Sequence, residues 1–250
     1  MARGGKQIEG QMTFNFCTSR ENYVVQANEL ISGKQALKLN SAKLIRSAIM
    51  QVVKEDQELK PYIVTVKDLS DLLEVSASNL YRDIEDIIKD IRENPVFIKR
   101  INGSKVSWIE IPWYSRCEYH SDVGIALKLN PELKPFLINL KSHYTQYMLG
   151  EILAMKSVYA IRIFELIQSK IMCKYVPAGG CHLTISVQEI RECCDCVDKY
   201  PAFGNFKDRV LDTAIKEIER VSTYEVEMKY LKENRRVVAI EFFIHSRYDQ

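Results

Sequence analysis

The sequence predicts an α+β chain, mainly helical, in which one folding unit occurs twice in tandem. Three observations carry this. "VTVKDLSDLL" (64–73) is matched about 120 residues later by "ISVQEIRECC" (185–194), a short β-type stretch running into a helix. "IIKDI" and "AIKEI" then recur in the helix that follows each, and each of those helices leads into a hairpin. An apolar-striped helix precedes both copies.

Taken in order, residues 1–20 are polar and Gly-containing without a period, and read as a mobile tail. "NSAKLIRSAIMQVVKE" (40–55) is the first helix. The β-type stretch at 64 runs into a second helix, in which Leu69 corresponds to Ile190 of the other copy and Leu72–Leu73 to Cys193–Cys194. "SASNLYRDIEDIIKDIRE" (76–93) opens on residues that favour a helix N-cap. "VFIKRINGSKVSWIEI" (96–111) follows, and its Asn102-Gly103 pair signals a two-residue hairpin turn.

The second copy repeats the order. "KSVYAIRIFELIQSK" (156–170) precedes the β-type stretch at 185, and the third helix opens at Asn205. Two strands then lie around "KEN", with Val238, Ile240, Phe242 and Ile244 marking one buried face. Helix, strand, helix, turn, helix, hairpin is the order of a winged helix-turn-helix. The chain therefore reads as two such domains related by internal duplication. A tail covers 1–20, the first domain 21–140 and the second 141–250. Pro131 and Pro135 limit how far any helix extends back from the join.

Bulk composition narrows the function classes. The 250 residues are 46% hydrophobic and 27% charged, with a net charge of +2, so any polyanion site must come from local clusters. No run approaches the ~20 apolar residues of a membrane span. "MARGGKQIEG" holds no signal-peptide core, which predicts a cytoplasmic protein whose seven cysteines are thiols. "CCDC" (193–196) lacks zinc-site spacing, and the alignment with Leu72–Leu73 makes Cys193 and Cys194 core residues. The four histidines include no His-x-His pair and there is no GxxxxGK loop, so neither DNA nicking nor ATP hydrolysis is expected: no enzyme and no cofactor.

The local clusters are in the second copy. At about 100° per residue, Leu211, Ala214, Ile215 and Ile218 share one side of the helix at 206–220. Arg209, Thr213, Lys216 and Arg220 make a stripe opposite. Taken alone, such a stripe is ordinarily solvated surface. On the second helix of a helix-turn-helix it faces the DNA major groove, and Lys229, Lys232, Arg235 and Arg236 cluster on the wing behind it. Asn205 and Lys207 complete the candidate DNA-binding set at the helix start.

The first copy differs. Opposite Leu80, Ile84, Ile87 and Ile91, the residues Arg82, Asp86, Lys89 and Glu93 form opposite-sign pairs four apart, a nearly neutral surface. Ser76, Ser78 and Asn79 at the helix start, Arg82, and Lys99, Arg100 and Lys105 on the hairpin remain candidates for auxiliary phosphate contact.

The order of segments resembles the iteron-binding plasmid replication initiators of the RepA, RepB and RepE type. The likeness rests on "YVVQANELI" (23–31), "KSVYAIRIFELI" (156–167), "FKDRVLDTAIKEI" (206–218) and "ENRRVVAIEFFI" (233–244). It departs at Asn234-Arg235-Arg236, where the family often has a Gly-Arg-Lys-like turn, and at Glu219, where Asn is common. The resemblance implies that monomers bind direct origin repeats, help open adjacent DNA and load host replication and helicase proteins. It also implies that dimers, joined through the first domain, repress the initiator's own gene at an inverted-repeat operator. By position Arg209, Lys216, Arg235 and Arg236 match the family's DNA-contacting elements. Lys156, Ser157, Tyr159 and Arg162 match a phosphate-facing helix start, although packing and a structural ion pair account for Tyr159 and Arg162 equally well. A winged-helix transcriptional regulator without initiator activity is the alternative.

Overall fold

A computed structural model describes residues 23–73, 80–171, 176–177 and 179–247. The predicted tail, and Ser76, Ser78 and Asn79 of the predicted helix start, lie outside the described residues.

The first module opens with β1 (Tyr23–Ala27), α1 (Asn28–Ser32) and β2 (Lys34–Gln35), then α2 (Leu39–Met50). Next come β3 (Pro61–Thr65), α3 (Val66–Leu73), α4 (Leu80–Glu93) and the hairpin β4 (Val96–Asn102)–β5 (Lys105–Ile111). A second hairpin, β6 (Tyr114–His120)–β7 (Gly124–Leu129), follows. A 3-10 turn and α5 (Lys134–Leu137) lead to β8 (Tyr144–Met148) and α6 (Leu149–Ala154).

The second module is α7 (Val158–Lys170), β9 (Cys181–Ser186), α8 (Val187–Cys193) and α9 (Phe203–Phe206). From α9 the helix runs on through a π-helical turn (Lys207–Asp212) into α10 (Thr213–Val221). The wing β10 (Tyr224–Glu233)–β11 (Arg236–Ser246) closes the chain.

Both copies of the predicted element order are present. They differ in sheet pairing. In the second module β9 pairs with β11, giving the order β10-β11-β9. In the first, β3 turns away from β5 and pairs with β7 of the inserted hairpin, so two sheets form, β2-β4-β5 and β3-β7-β6. Ile125, Leu127 and Leu129 alternate into the core with no exposure and give β3 its partner. The strands come within touching distance at Gly124, where an added Cβ would lie 2.1 Å from the Val64 carbonyl oxygen.

Smaller differences concern ends and turns. The first helix stops at Met50 rather than 55, where the Asp56 carboxylate accepts from the Val53 amide and organises a loop. The first hairpin's tip is Gly103-Ser104, one residue beyond the predicted pair, because Asn102 is still paired with Lys105. Gly103 takes φ +61° at the first central position, which suits a tight hairpin turn. The continuous helix from α9 to α10, in the place of a helix-turn-helix recognition helix, begins at Phe203, so Asn205 lies within it and does not cap it.

Helices α2 and α7 form the centre. Ser41–Met50 and Ala160–Ile167 are buried on every side, charged residues included. β1 and β8 pair antiparallel and join the two ends of the first module. Ile190, Cys193 and Cys194 are in the core, as the alignment with the first copy predicts.

One carboxyl near the junction sets a pH dependence. Burial pushes Glu151 of α6 up to about 7, against the pull of the Met148 amide whose hydrogen bond it accepts. The folded chain therefore holds a proton that the unfolded chain has released above about pH 4.3. Stability falls as pH rises from there to about 7 and is level above. Glu151→Gln should remove that fall, gaining roughly 2 kcal/mol at pH 8 and little at pH 4, as thermal melts at the two pH values would read.

Candidate nucleic-acid interface

The recognition helix separates its two faces as its sequence demands. Phe206, Val210, Leu211, Ala214, Ile215 and Ile218 enter the core. Asn205, Arg209, Lys216 and Arg220 are exposed, with Lys207 and Thr213 half-buried beside them. The π-helical turn has no counterpart in the sequence periodicity. The Thr213 hydroxyl donates to the carbonyl of Asp208, five residues back, at 3.1 Å and bridges the widened turn.

Not every cation on this helix is free. Lys207 is ion-paired with Asp212, and Arg220 donates to the Ala154 carbonyl at 2.7 Å. The Arg209 guanidinium lies over the Tyr200 ring, 5.9 Å from its centre. Lys216 is exposed and carries no ion pair among the described residues.

The wing joins this surface at its root, where Tyr230 packs edge-on against Phe203, ring centres 5.5 Å apart. Its tip is Asn234-Arg235, with φ +46° and +72°. Lys232, Arg235 and Arg236 are exposed and unpaired among the described residues. Lys229 departs from the expected cluster. Strand alternation places it on the sheet face opposite Met228 and Tyr230, turned from the recognition helix, where it pairs with Glu241 at 3.3 Å.

Arg162 is a correction. It is 1% exposed and donates to Glu165 at 2.6 Å, to the Ile31 and Gly33 carbonyls at 2.5 and 2.8 Å, and to the Cys193 carbonyl at 3.2 Å. No phosphate reaches it. A long cation inside an apolar helix needs internal partners, and here they come from both modules. Tyr159 is half-buried and packs edge-on against Tyr200. Lys156 and Ser157 do sit at the start of α7, but both their amides donate to the Glu217 carboxylate, at 2.6 and 3.2 Å. In the first module Arg82, Lys99, Arg100 and Lys105 are exposed, and Arg100 is paired with Glu29.

Arg162 belongs to a cluster that sequence reasoning missed. Glu165 is wholly buried and receives both forks of Arg46, at 2.9 and 2.8 Å, together with Arg162, Gln26 and the Tyr147 hydroxyl. Gln35 accepts from Arg46 at 2.8 Å. Burial alone would push the Glu165 carboxyl up, but the two guanidiniums hold it down at about 2. A signal for the cluster does exist. "AIRIFELI" sets Arg and Glu three apart in a helix that is apolar all round, which calls for a buried pair.

Two family profiles and the fold of one solved structure agree with this architecture. The family profile described as "Initiator Replication protein, WH1" matches residues 23–168, and "Initiator Rep protein, WH2" matches 186–244. Among solved structures, the Pi initiator protein, crystallised in complex with iteron DNA, superposes with a TM-score of 0.73. It has 19% identity and covers 90% of this chain and 98% of its own. Domains 2 and 3 of RctB reach a TM-score of 0.47 at 10% identity over 82% of each chain. With both winged-helix profiles matched in order, the chain belongs to the initiator replication protein family.

Proposed function

We propose that this initiator binds directly repeated origin sites in double-stranded DNA through the recognition helix and wing of its second module. One observation carries the reading: the helix sends its apolar face into the core and leaves Arg209 and Lys216 exposed, beside a wing bearing Lys232, Arg235 and Arg236. Side chains of this kind on a helix supply base-edge donors, and a basic wing supplies phosphate charge. The Pi initiator, which shares this fold, was crystallised with iteron DNA, and that supports the same class of ligand here.

The finer roles belong to the same proposal. Bound monomers open adjacent DNA and recruit host replication and helicase proteins, without an enzymatic step of their own, on plasmid DNA in the cytoplasm. Homodimers in equilibrium with them act at an inverted-repeat operator. The first module supports dimerisation because the outward face of β5 shows Val106 and Trp108, 61% and 64% exposed, on a sheet edge.

The test is binding to duplexes carrying direct or inverted repeats, at several salt concentrations, with stoichiometry read by sedimentation. Monomers filling direct repeats with a steep salt dependence are expected. Binding confined to inverted repeats would favour a regulator without initiator activity, and indifference to sequence would overturn the reading.

A further inference from the structure

One buried side chain gathers three carbonyls of the turn that presents the recognition helix. Arg191, on α8 and 9% exposed, donates to the carbonyls of Cys196 and Lys199 at 3.1 and 2.7 Å and to that of Tyr200 at 2.8 Å. Its guanidinium also lies 4.2 Å from the centre of the Phe206 ring, on the buried side of the recognition helix. The turn needs such a hold. Asp195 and Tyr200, neither of them glycine, both take left-handed backbone conformations, with φ +49° and +56°. A planar fork that reaches three carbonyls while stacking on a ring is a geometry lysine does not reproduce.

We propose that Arg191 is a positioning residue for base reading: by capping this turn it fixes the Tyr200 ring, and the ring fixes the Arg209 guanidinium. The inference rests on the DNA-binding role given above. Tyr200 is well placed for the relay. Its carbonyl is held by Arg191, while its ring lies under Arg209 at 5.9 Å and meets Tyr159 edge-on at 6.4 Å. A guanidinium resting on an aromatic face keeps its charge and its donors while losing much of its rotational freedom. Neither Arg191 nor Tyr200 is required to touch phosphate, so their effect should fall on sequence discrimination and spare the electrostatic part of binding.

The test uses the full-length chain and a duplex of about two helical turns recovered by the wild-type protein from a random-sequence pool, beside an unrelated duplex. Arg191→Lys and Tyr200→Ala should each lower the preference for the recovered duplex about tenfold, the scale of one base contact. The salt slope and the affinity for unrelated DNA should stay at wild-type values. Tyr200→Ala combined with Arg209→Ala should be no worse than Arg209→Ala alone, because the two act through one guanidinium. If Arg191→Lys fails to fold, Tyr200→Ala and the double variant still decide. Wild-type discrimination in Tyr200→Ala, or losses that add in the double variant, would overturn the inference. A wild-type chain that recovers no preferred sequence would overturn the DNA-binding role itself, and this inference with it.

Discussion

Glu165→Gln is expected to destabilise the protein by roughly 3–5 kcal/mol, the range for removing one partner from a buried ion cluster. The reason is what remains. Arg46 and Arg162 are 0% and 1% exposed, and Glu165 is the carboxylate that both contact. Glutamine keeps the shape and loses the charge, leaving two guanidiniums in the core with neutral partners alone. Those guanidiniums sit on α2 and α7, one in each module, so the damage falls on the joint between the modules. Denaturant unfolding of the variant should show a lower midpoint and a split of the transition into two. An Arg46→Met, Arg162→Met, Glu165→Leu triple variant should lose less than Glu165→Gln alone, because it leaves no charge unpaired. The same carboxylate sets an acid limit. Its folded value of about 2 lies below the ordinary carboxylate range, so its contribution is complete above about pH 4.3 and is lost as pH falls toward 2. In Glu165→Gln that part of the acid slope should vanish.

The features legible in the sequence are those with a local period. Leu211, Ala214, Ile215 and Ile218 announce a buried helix face, and each of them is in the core. Ile240, Phe242 and Ile244 do the same for β11. The features that escape depend on partners distant in the chain or on a one-residue change of phase. The inserted hairpin β6–β7 captures β3 through strand pairing that no window of sequence contains. The Gly103-Ser104 tip differs from the predicted pair by one residue, and a shift of that size is decided by cross-strand register. Lys229 is close to the wing cations in sequence, although period-2 alternation already assigns it to the opposite face. Arg162 holds a place in the family pattern that points toward DNA. Its neighbour Glu165 and the apolar residues around both assign it to the core.

Loss of DNA binding is the other large effect, and it should divide by chemistry. Arg209→Ala and Lys216→Ala, on the exposed helix face, should each reduce specific binding by about 1–3 kcal/mol and leave non-specific binding nearly intact. Arg235→Ala and Arg236→Ala, on the wing, should weaken both kinds of binding and lower the salt slope by about 1 for each phosphate no longer neutralised. Two comparisons keep these outcomes from being a general effect of removing positive charge. Lys229→Ala removes the same charge from the same hairpin, but from the face turned away and already neutralised by Glu241, so binding should barely change. Arg235 sits at φ +72°, a conformation that glycine takes without strain. Arg235→Gly should therefore be more stable than Arg235→Ala while losing the same salt slope, which separates the charge at the tip from the shape of the turn. Equal losses from Lys229 and Arg235 would mean that net charge, and not the placement of the wing, governs affinity.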